Sequence, residues 1–252
     1  MIHPKVPSNP KDRLIVALDV SSVAEARKIV ATLGQQISTY KVGKQLFISA
    51  GPDLIRELVD SGHKVFLDLK FHDIPNTVAA AIREAAKLKV SMLTVHAPGG
   101  EKMLRAAVAA AEESPRPPLV LAVTVLTSLQ DDDLRQLGIS GRVLDQVLRL
   151  AALARNAGCG GVVAAAPEAS ELRRELGDGF AIVTPGVRSA GTDHGDQARV
   201  VTPSEAIRSG ATHIVVGRPI TAASDPAEVA QAILKEISAG SSAVRQHVPQ
   251  RG

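Results

Sequence analysis

Short apolar runs rich in β-branched residues recur along the chain at intervals of roughly 20–30 residues, each followed by a stretch of helical periodicity. The runs lie at 14–20, 39–43, 64–70, 92–97, 119–126, 161–166, 181–184 and 213–217. Helices are expected near 22–33, 51–61, 76–88, 100–112, 142–157, 168–176, 203–209 and 226–238. Ser22 with Glu25 three residues on reads as a capping box, and Pro203 after Thr202 as a helix start. Eight strand–helix units in about 250 residues is the count of an α/β protein of the (β/α)8 TIM-barrel type, a single domain. A doubly wound open sheet also alternates strand and helix, but no G-x-G-x-x-G follows the first run, where the turn reads Asp19-Val20-Ser21-Ser22. The expected organisation is an N-terminal tail at 1–12, a barrel at 13–238 and a small-residue-rich, disordered tail at 239–252.

Composition removes several classes of function. A hydrophobic share of 45% excludes disorder for the bulk of the chain. No apolar run approaches the ~18 residues of a membrane span, and the opening MIHPKVPSNP lacks the apolar stretch of a secretory signal. The single cysteine, Cys159, excludes an intramolecular disulfide framework, so the cytoplasm is the expected compartment. The net charge of +3 is carried by Lys5, Arg245 and Arg251 in the two tails, which leaves a nearly neutral body. With aromatic residues at 2% and no Trp, a base-stacking surface for nucleic acid is not expected.

On a barrel, chemistry belongs at the C-terminal ends of the strands. The densest polar cluster, Asp68-Leu-Lys70-Phe-His-Asp73-Ile-Pro-Asn-Thr77, ends the third run. Strand alternation sends Asp68 and Lys70 to one face and Leu67 and Leu69 to the other, so the charged pair is expected in the barrel mouth rather than in a surface ion pair. Asp19 ends the first run and Lys41 sits in the second, which completes an alternating set of carboxylates and ammonium groups. Such a set is costly to bury unless paired and shifts pKa values, as catalytic sites do. Thr184-Pro-Gly-Val-Arg188 and Val216-Gly217-Arg218-Pro219 end the last two runs, where a glycine lets the backbone approach a phosphate and an arginine grips it. The polar stretch 189–199 reads equally as a gripping lid or as an ordinary surface loop. Asp131-Asp132-Asp133 is expected on a solvated loop and Cys159 in the core, while Thr124, Thr127 and Ser128, which end the fifth run, each read as able to satisfy the backbone. No His, Asp and Glu set has metal-ligand spacing, so no metal is implied.

Asp68-x-Lys70-x-x-Asp73-Ile-Pro-Asn-Thr77 resembles the signature of the bacterial-type orotidine 5′-phosphate decarboxylase family. Ala17-Leu-Asp19, Lys41-Val-Gly, Thr94-Val-His-Ala97, Thr124-Val-Leu-Thr127-Ser128 and the two arginine segments follow in the same order, so the likeness covers about residues 13–237. The resemblance implies a cofactor-free carboxy-lyase of pyrimidine synthesis that converts orotidine monophosphate to UMP and CO₂. It implies that Lys41, Asp68, Lys70 and Asp73 form the charged catalytic tetrad, with Asp73 and Thr77 supplied by the partner in a homodimer. It implies further that Asp19 and Lys41 hold the ribose, Thr127 and Ser128 read the pyrimidine, and Arg188, Gln197, Gly217 and Arg218 bind the phosphate.

Two other readings stay open. Sugar-phosphate enzymes on the same barrel, 3-keto-L-gulonate 6-phosphate decarboxylase and hexulose phosphate synthase, share Asp-x-Lys-x-x-Asp but use Mg²⁺, typically through a Glu where this chain has Lys41. A non-catalytic phosphate-binding barrel is the third, although a binder has no evident need for Lys70 beside two carboxylates.

Overall fold

A computed structural model of the chain describes residues 7–188 and 201–246, with backbone alone at 244–246. Eight parallel strands close into a barrel: β1 (Leu14–Ala17), β2 (Thr39–Gly43), β3 (Lys64–Phe71), β4 (Met92–His96), β5 (Leu119–Val123), β6 (Gly161–Val163), β7 (Ala181–Pro185) and β8 (His213–Val216). Each pairs with the next, and β8 returns to β1 through Leu14↔Ile214 and Val16↔Val216. The helices in chain order are α1 (Pro10–Arg13), α2 (Val23–Leu33), α3 (Lys44–Asp60), α4 (Pro75–Lys87), α5 (Gly100–Glu112), α6 (Asp131–Gln136), α7 (Val143–Asn156), α8 (Ala169–Leu176), α9 (Pro203–Arg208), α10 (Arg218–Thr221) and α11 (Pro226–Gln246). The closed barrel decides between the two α/β folds that the alternation allowed.

The strands read as continuous apolar runs because both of their faces are buried. One parity, including Ile15, Ala17, Phe66, Met92, Leu121, Val183 and Val215, fills the barrel interior. The other, including Leu14, Val16, Tyr40, Val42, Val65, Leu67, Leu93 and Val95, packs outward against the helices. Gly161 makes room within the interior: a Cβ there would lie 2.5 Å from the Ala181 carbonyl oxygen and 2.8 Å from Leu121 Cδ2. Cys159 packs in the outer core, and burial pushes its thiol up to about 12.

Four sequence expectations need correction. The helix expected at 51–61 is the second half of α3, which begins at Lys44 and breaks at Gly51 (φ 62) ahead of Pro52. Asp131, Asp132 and Asp133 form the first turn of α6, where Asp133 accepts from the Gln130 N–H and Asp131 from the Val143 N–H. Carboxylates there complement the helix dipole. The tail expected at 239–252 is helical as far as Gln246. Its small residues are packing devices: a Cβ on Gly240 would lie 2.8 Å from the Ser204 carbonyl oxygen, so only glycine lets α11 lie this close to α9. At the other end, the tail expected at 1–12 overlaps α1, capped by Asn9, and Asp12 binds Lys64 at 2.8 Å.

Ties of this kind close the base of the barrel. Buried Arg13 donates to the carbonyls of Ala211 (2.7 Å) and Thr212 (3.0 Å) and to Ser241 Oγ (2.6 Å). His213, on the inward parity of β8, is buried with its Nδ1 2.8 Å from Thr212 Oγ1. Burial, reinforced by the charges of Arg13 and Lys64 against that of Asp12, pushes its imidazole down to about 4. Below its ordinary value near 6.5, the unfolded chain therefore binds a proton that the folded chain refuses until about pH 4. Stability from this group is full above that range and falls as pH drops through it. Between pH 7 and 5 the loss should be about 2 kcal/mol. Urea unfolding at the two pH values should show a fall in the wild type that is smaller by this amount in His213→Asn. Equal falls in both would refute the assignment.

Candidate active site

The inward parity that fills the barrel becomes polar at the C-terminal ends of the strands. Phe66 is in the interior layer, and two residues on, Asp68 reaches the mouth; Ala17 is followed in the same way by Asp19. Lys41 enters from β2, where its outward neighbours Tyr40 and Val42 anchor the strand against the helices. The four charges form a chain. Lys41 Nζ lies 2.7 Å from Asp19 Oδ1 and 3.7 Å from Asp68 Oδ2, and Lys70 Nζ lies 2.8 Å from that same Asp68 oxygen. Gly43 leaves space for the first pair, since a Cβ there would stand 3.1 Å from Asp19 Oδ1 and 3.2 Å from Lys41 Nζ.

Asp68 is the buried centre of this chain, its side chain 11% exposed. Burial pushes its carboxyl upward, but the charges of Lys70 and Lys41, with hydrogen bonds from Lys70 and Thr94, outweigh that and hold it below the usual carboxylate range. Thr94, fully buried on β4, donates its hydroxyl to Asp68 Oδ1 (2.9 Å) and accepts the backbone N–H of Lys70 (2.9 Å). Lys70 itself has φ 54, in the left-handed region. For a non-glycine residue this conformation costs on the order of 1–3 kcal/mol and persists only where the surroundings enforce it. Thr94 is not among the site residues expected from the sequence, although its inward parity between Met92 and His96 marks it.

These groups line one side of a cavity of about 490 Å³ at the barrel mouth. It is also lined by the apolar side chains of Phe66, Val123, Val163 and Val215 and, after β7 and β8, by Gly186, Arg188, Gly217 and Arg218. Arg188 is buried and its N–H is held by the Val201 carbonyl at 3.1 Å, whereas Arg218 is exposed at the start of α10. Thr127 lines the cavity after β5. A space of this size, lined by both ammonium and guanidinium groups, suits an anionic ligand of nucleotide size.

Other expected site residues lie apart from it. Asp73 is exposed outside the cavity, its Oδ1 accepting from the Ile74 N–H at 2.6 Å, and Thr77 is exposed in the first turn of α4. Ser128 is exposed in the turn after β5 and does not line the cavity, and Thr124 Oγ1 donates to the Val163 carbonyl. Gln197 and the stretch 189–199 fall outside the described residues. His72 follows the end of β3 and turns to His96, with ring centroids 5.5 Å apart. Half-burial, with the positive surroundings of His72, Lys44 and Lys70, pushes His96 below its ordinary value. Among the described residues no three His, Cys, Asp or Glu side chains are grouped so as to hold a metal ion, and no helix is long and apolar enough to cross a membrane.

Residues 12–233 match the profile of the orotidine 5′-phosphate decarboxylase / HUMPS family. The chain belongs to this family. Among its relatives is the orotidine 5′-phosphate decarboxylase of Moorella thermoacetica, 53% identical over 233 residues that cover 90% of this chain and 92% of the relative. That of Hydrogenovibrio crunogenus is 47% identical over 91% of this chain and 96% of its own length. Among solved structures, orotidine 5′-phosphate decarboxylase from Lactobacillus acidophilus superposes with a TM-score of 0.80 at 42% identity, covering 89% of this chain and 98% of that one. Both curated relatives are carboxy-lyases by name, and membership makes this chain an enzyme of the same group.

The charge chain also bears on stability. Replacing Asp68 by Ala would leave the ammonium groups of Lys41 and Lys70 facing one another at a largely desolvated position. Removing one partner of a buried ionic set is destabilising, here by about 2–3 kcal/mol. Urea denaturation at pH 7 should register the loss; a variant as stable as wild type would mean that the cavity is wet enough to screen the pair.

Proposed function

We propose that the chain removes CO₂ from orotidine 5′-monophosphate to give UMP, with no metal or organic cofactor. The observation that carries this reading is the Asp19–Lys41–Asp68–Lys70 chain in a cavity that Arg188 and Arg218 also line. When the bond between C6 and the carboxyl carbon breaks, its electron pair stays on C6, and the ring offers no attached electron sink. The Lys70 ammonium stabilises that charge and then transfers a proton to C6, which leaves UMP and CO₂. Its charge is held in place by Asp68 before reaction begins, and preorganised charge of this kind is generally the largest catalytic contribution. Asp68 also faces the substrate carboxylate with like charge, a stress that loss of CO₂ relieves.

The remaining roles follow the family resemblance. Asp19 and Lys41 hold the ribose hydroxyls, and Thr127 and Ser128 read the pyrimidine edge. Arg188, Gly217, Arg218 and Gln197 bind the phosphate, whose binding energy is then available at the distant reacting carbon. Asp73 and Thr77 act in the site of a second copy, so that the working unit is a homodimer. Their exposure outside the cavity of their own chain supports this assignment, as does the exposed Ile74 between them, 66% accessible.

Absorbance loss with orotidine monophosphate in the presence of EDTA tests the central reading. Wild type should turn over, and Lys70→Ala should lose at least about 10³-fold in kcat. No turnover by folded wild type would redirect the search to sugar phosphates with Mg²⁺, and equal turnover by both proteins would overturn the role of Lys70. The shared site has its own test, because Lys70→Ala and Asp73→Ala would fall together in one site of a hybrid dimer and leave the other site intact. Mixing the two inactive variants should restore about a quarter of wild-type activity, the statistical yield of one intact site in half of the dimers. A mixture that remains inactive after confirmed subunit exchange would place Asp73 in the site of its own chain.

A further inference from the structure

β3 and β4 leave register where the chemistry lies. They pair as Phe66↔Met92 and Leu67↔Leu93, and then as Phe71↔Val95. Three residues of β3, Asp68, Leu69 and Lys70, therefore stand opposite the single residue Thr94. Bulges of this kind redirect side chains, and they leave ladder groups that need other partners. Here the left-handed Lys70, φ 54, is the residue that absorbs the extra length. With the usual ladder interrupted, its N–H has no strand carbonyl and turns to Thr94 Oγ1 at 2.9 Å. The same hydroxyl spends its proton on Asp68 Oδ1, also at 2.9 Å, while Asp68 Oδ2 holds Lys70 Nζ at 2.8 Å. Thr94 thus spans the bulge: one oxygen fixes the backbone of one charged residue and the side chain of the other.

We infer that Thr94 is a positioning residue for the decarboxylation, a hydroxyl lock that sets the bulge of β3 and through it the placement of Lys70 Nζ against Asp68. The inference rests on the roles of Lys70 and Asp68 proposed above. A hydroxyl is required because one atom must accept from an amide and donate to a carboxylate in a position with no access for solvent. Valine has the same shape and can do neither, so it leaves the Lys70 N–H without this acceptor and Asp68 Oδ1 without this donor. Serine keeps both bonds. The phosphate-binding end of the cavity, at Arg188 and Arg218, is built on other strands and does not depend on the lock.

Steady-state kinetics of Thr94→Val and Thr94→Ser, beside wild type and Lys70→Ala, test this. In Thr94→Val, kcat should fall by about 10- to 100-fold, the scale of a misplaced catalytic group, while KM changes by less than about threefold. Thr94→Ser should recover most of kcat. The acid limb of the kcat profile should move to higher pH in the valine variant and return in the serine variant, because Asp68 loses and regains a donor. If Thr94→Val does not fold, Thr94→Ala against Thr94→Ser carries the same comparison. A folded variant without the hydroxyl whose kcat is within twofold of wild type, or valine and serine variants equally impaired, would overturn the lock. Where Lys70→Ala is inactive and Thr94→Val is not impaired, the lock alone fails. Turnover retained by Lys70→Ala would remove the reading on which the lock rests, and the lock with it.

Discussion

A carboxylate withdrawn from water at the mouth of an apolar barrel is unfavourable unless cations meet it, and Asp68 meets two. Much of the site follows from satisfying this one group. Lys41 and Lys70 must come within ion-pairing range, Thr94 must donate to the remaining oxygen, and Asp19 must balance the outer side of Lys41. Burial alone would favour the neutral acid, yet the net effect of these partners keeps the carboxyl below its usual range. The ammonium of Lys70 is consequently held in place by a fixed charge rather than by solvent. A group held in this way does not have to reorganise when negative charge develops nearby.

The rest of the barrel divides its labour around that centre. At the base, Arg13 ties the start of β8 to the last helix, and His213 is kept neutral in the closed interior. At the mouth, the structure accepts a left-handed lysine and an interrupted ladder. Rigidity at one end and local strain at the other is the arrangement expected of this architecture, in which stability resides at the N-terminal face of the strands and catalysis at the C-terminal face. The site needs no moving framework to assemble its four charges; they stand assembled on three neighbouring strand ends within one chain.

The strands were the most legible elements, because a strand buried on both faces is a bare apolar run between polar turns. The run at 39–43 coincides with β2, and that at 64–70 stops one residue short of β3. Helix ends were harder where small residues or breakers carried a tertiary meaning. Gly51 and Pro52 read as a helix start and proved to be a kink within α3. Ala239-Gly240-Ser241 reads as a fraying tail, although the missing side chain of Gly240 is what allows α11 to lie against α9. The triple aspartate at 131–133 read as loop, because charge density alone does not distinguish a solvated turn from the start of a short helix such as α6.

For the site, sequence by itself determined which groups are present and which parity they share: Asp68 with Lys70, Lys41 in β2 and Asp19 after β1, each spaced so that strand alternation turns it inward. Those are local properties, set by the two-residue period of a strand and by the apolar neighbours that bury the opposite face. Barrel closure decided the rest. It brought three strand ends together so that four charges became a chain with spacings of 2.7, 3.7 and 2.8 Å, and it set Arg188 and Arg218 on the same cavity. Only the tertiary structure disclosed the bulge that Thr94 spans, since register between β3 and β4 is settled by pairing across strands and leaves no local mark. It also separated Asp73 and Thr77 from the cavity, although they lie within seven residues of Lys70 along the chain, because the chain turns outward where β3 ends and α4 begins.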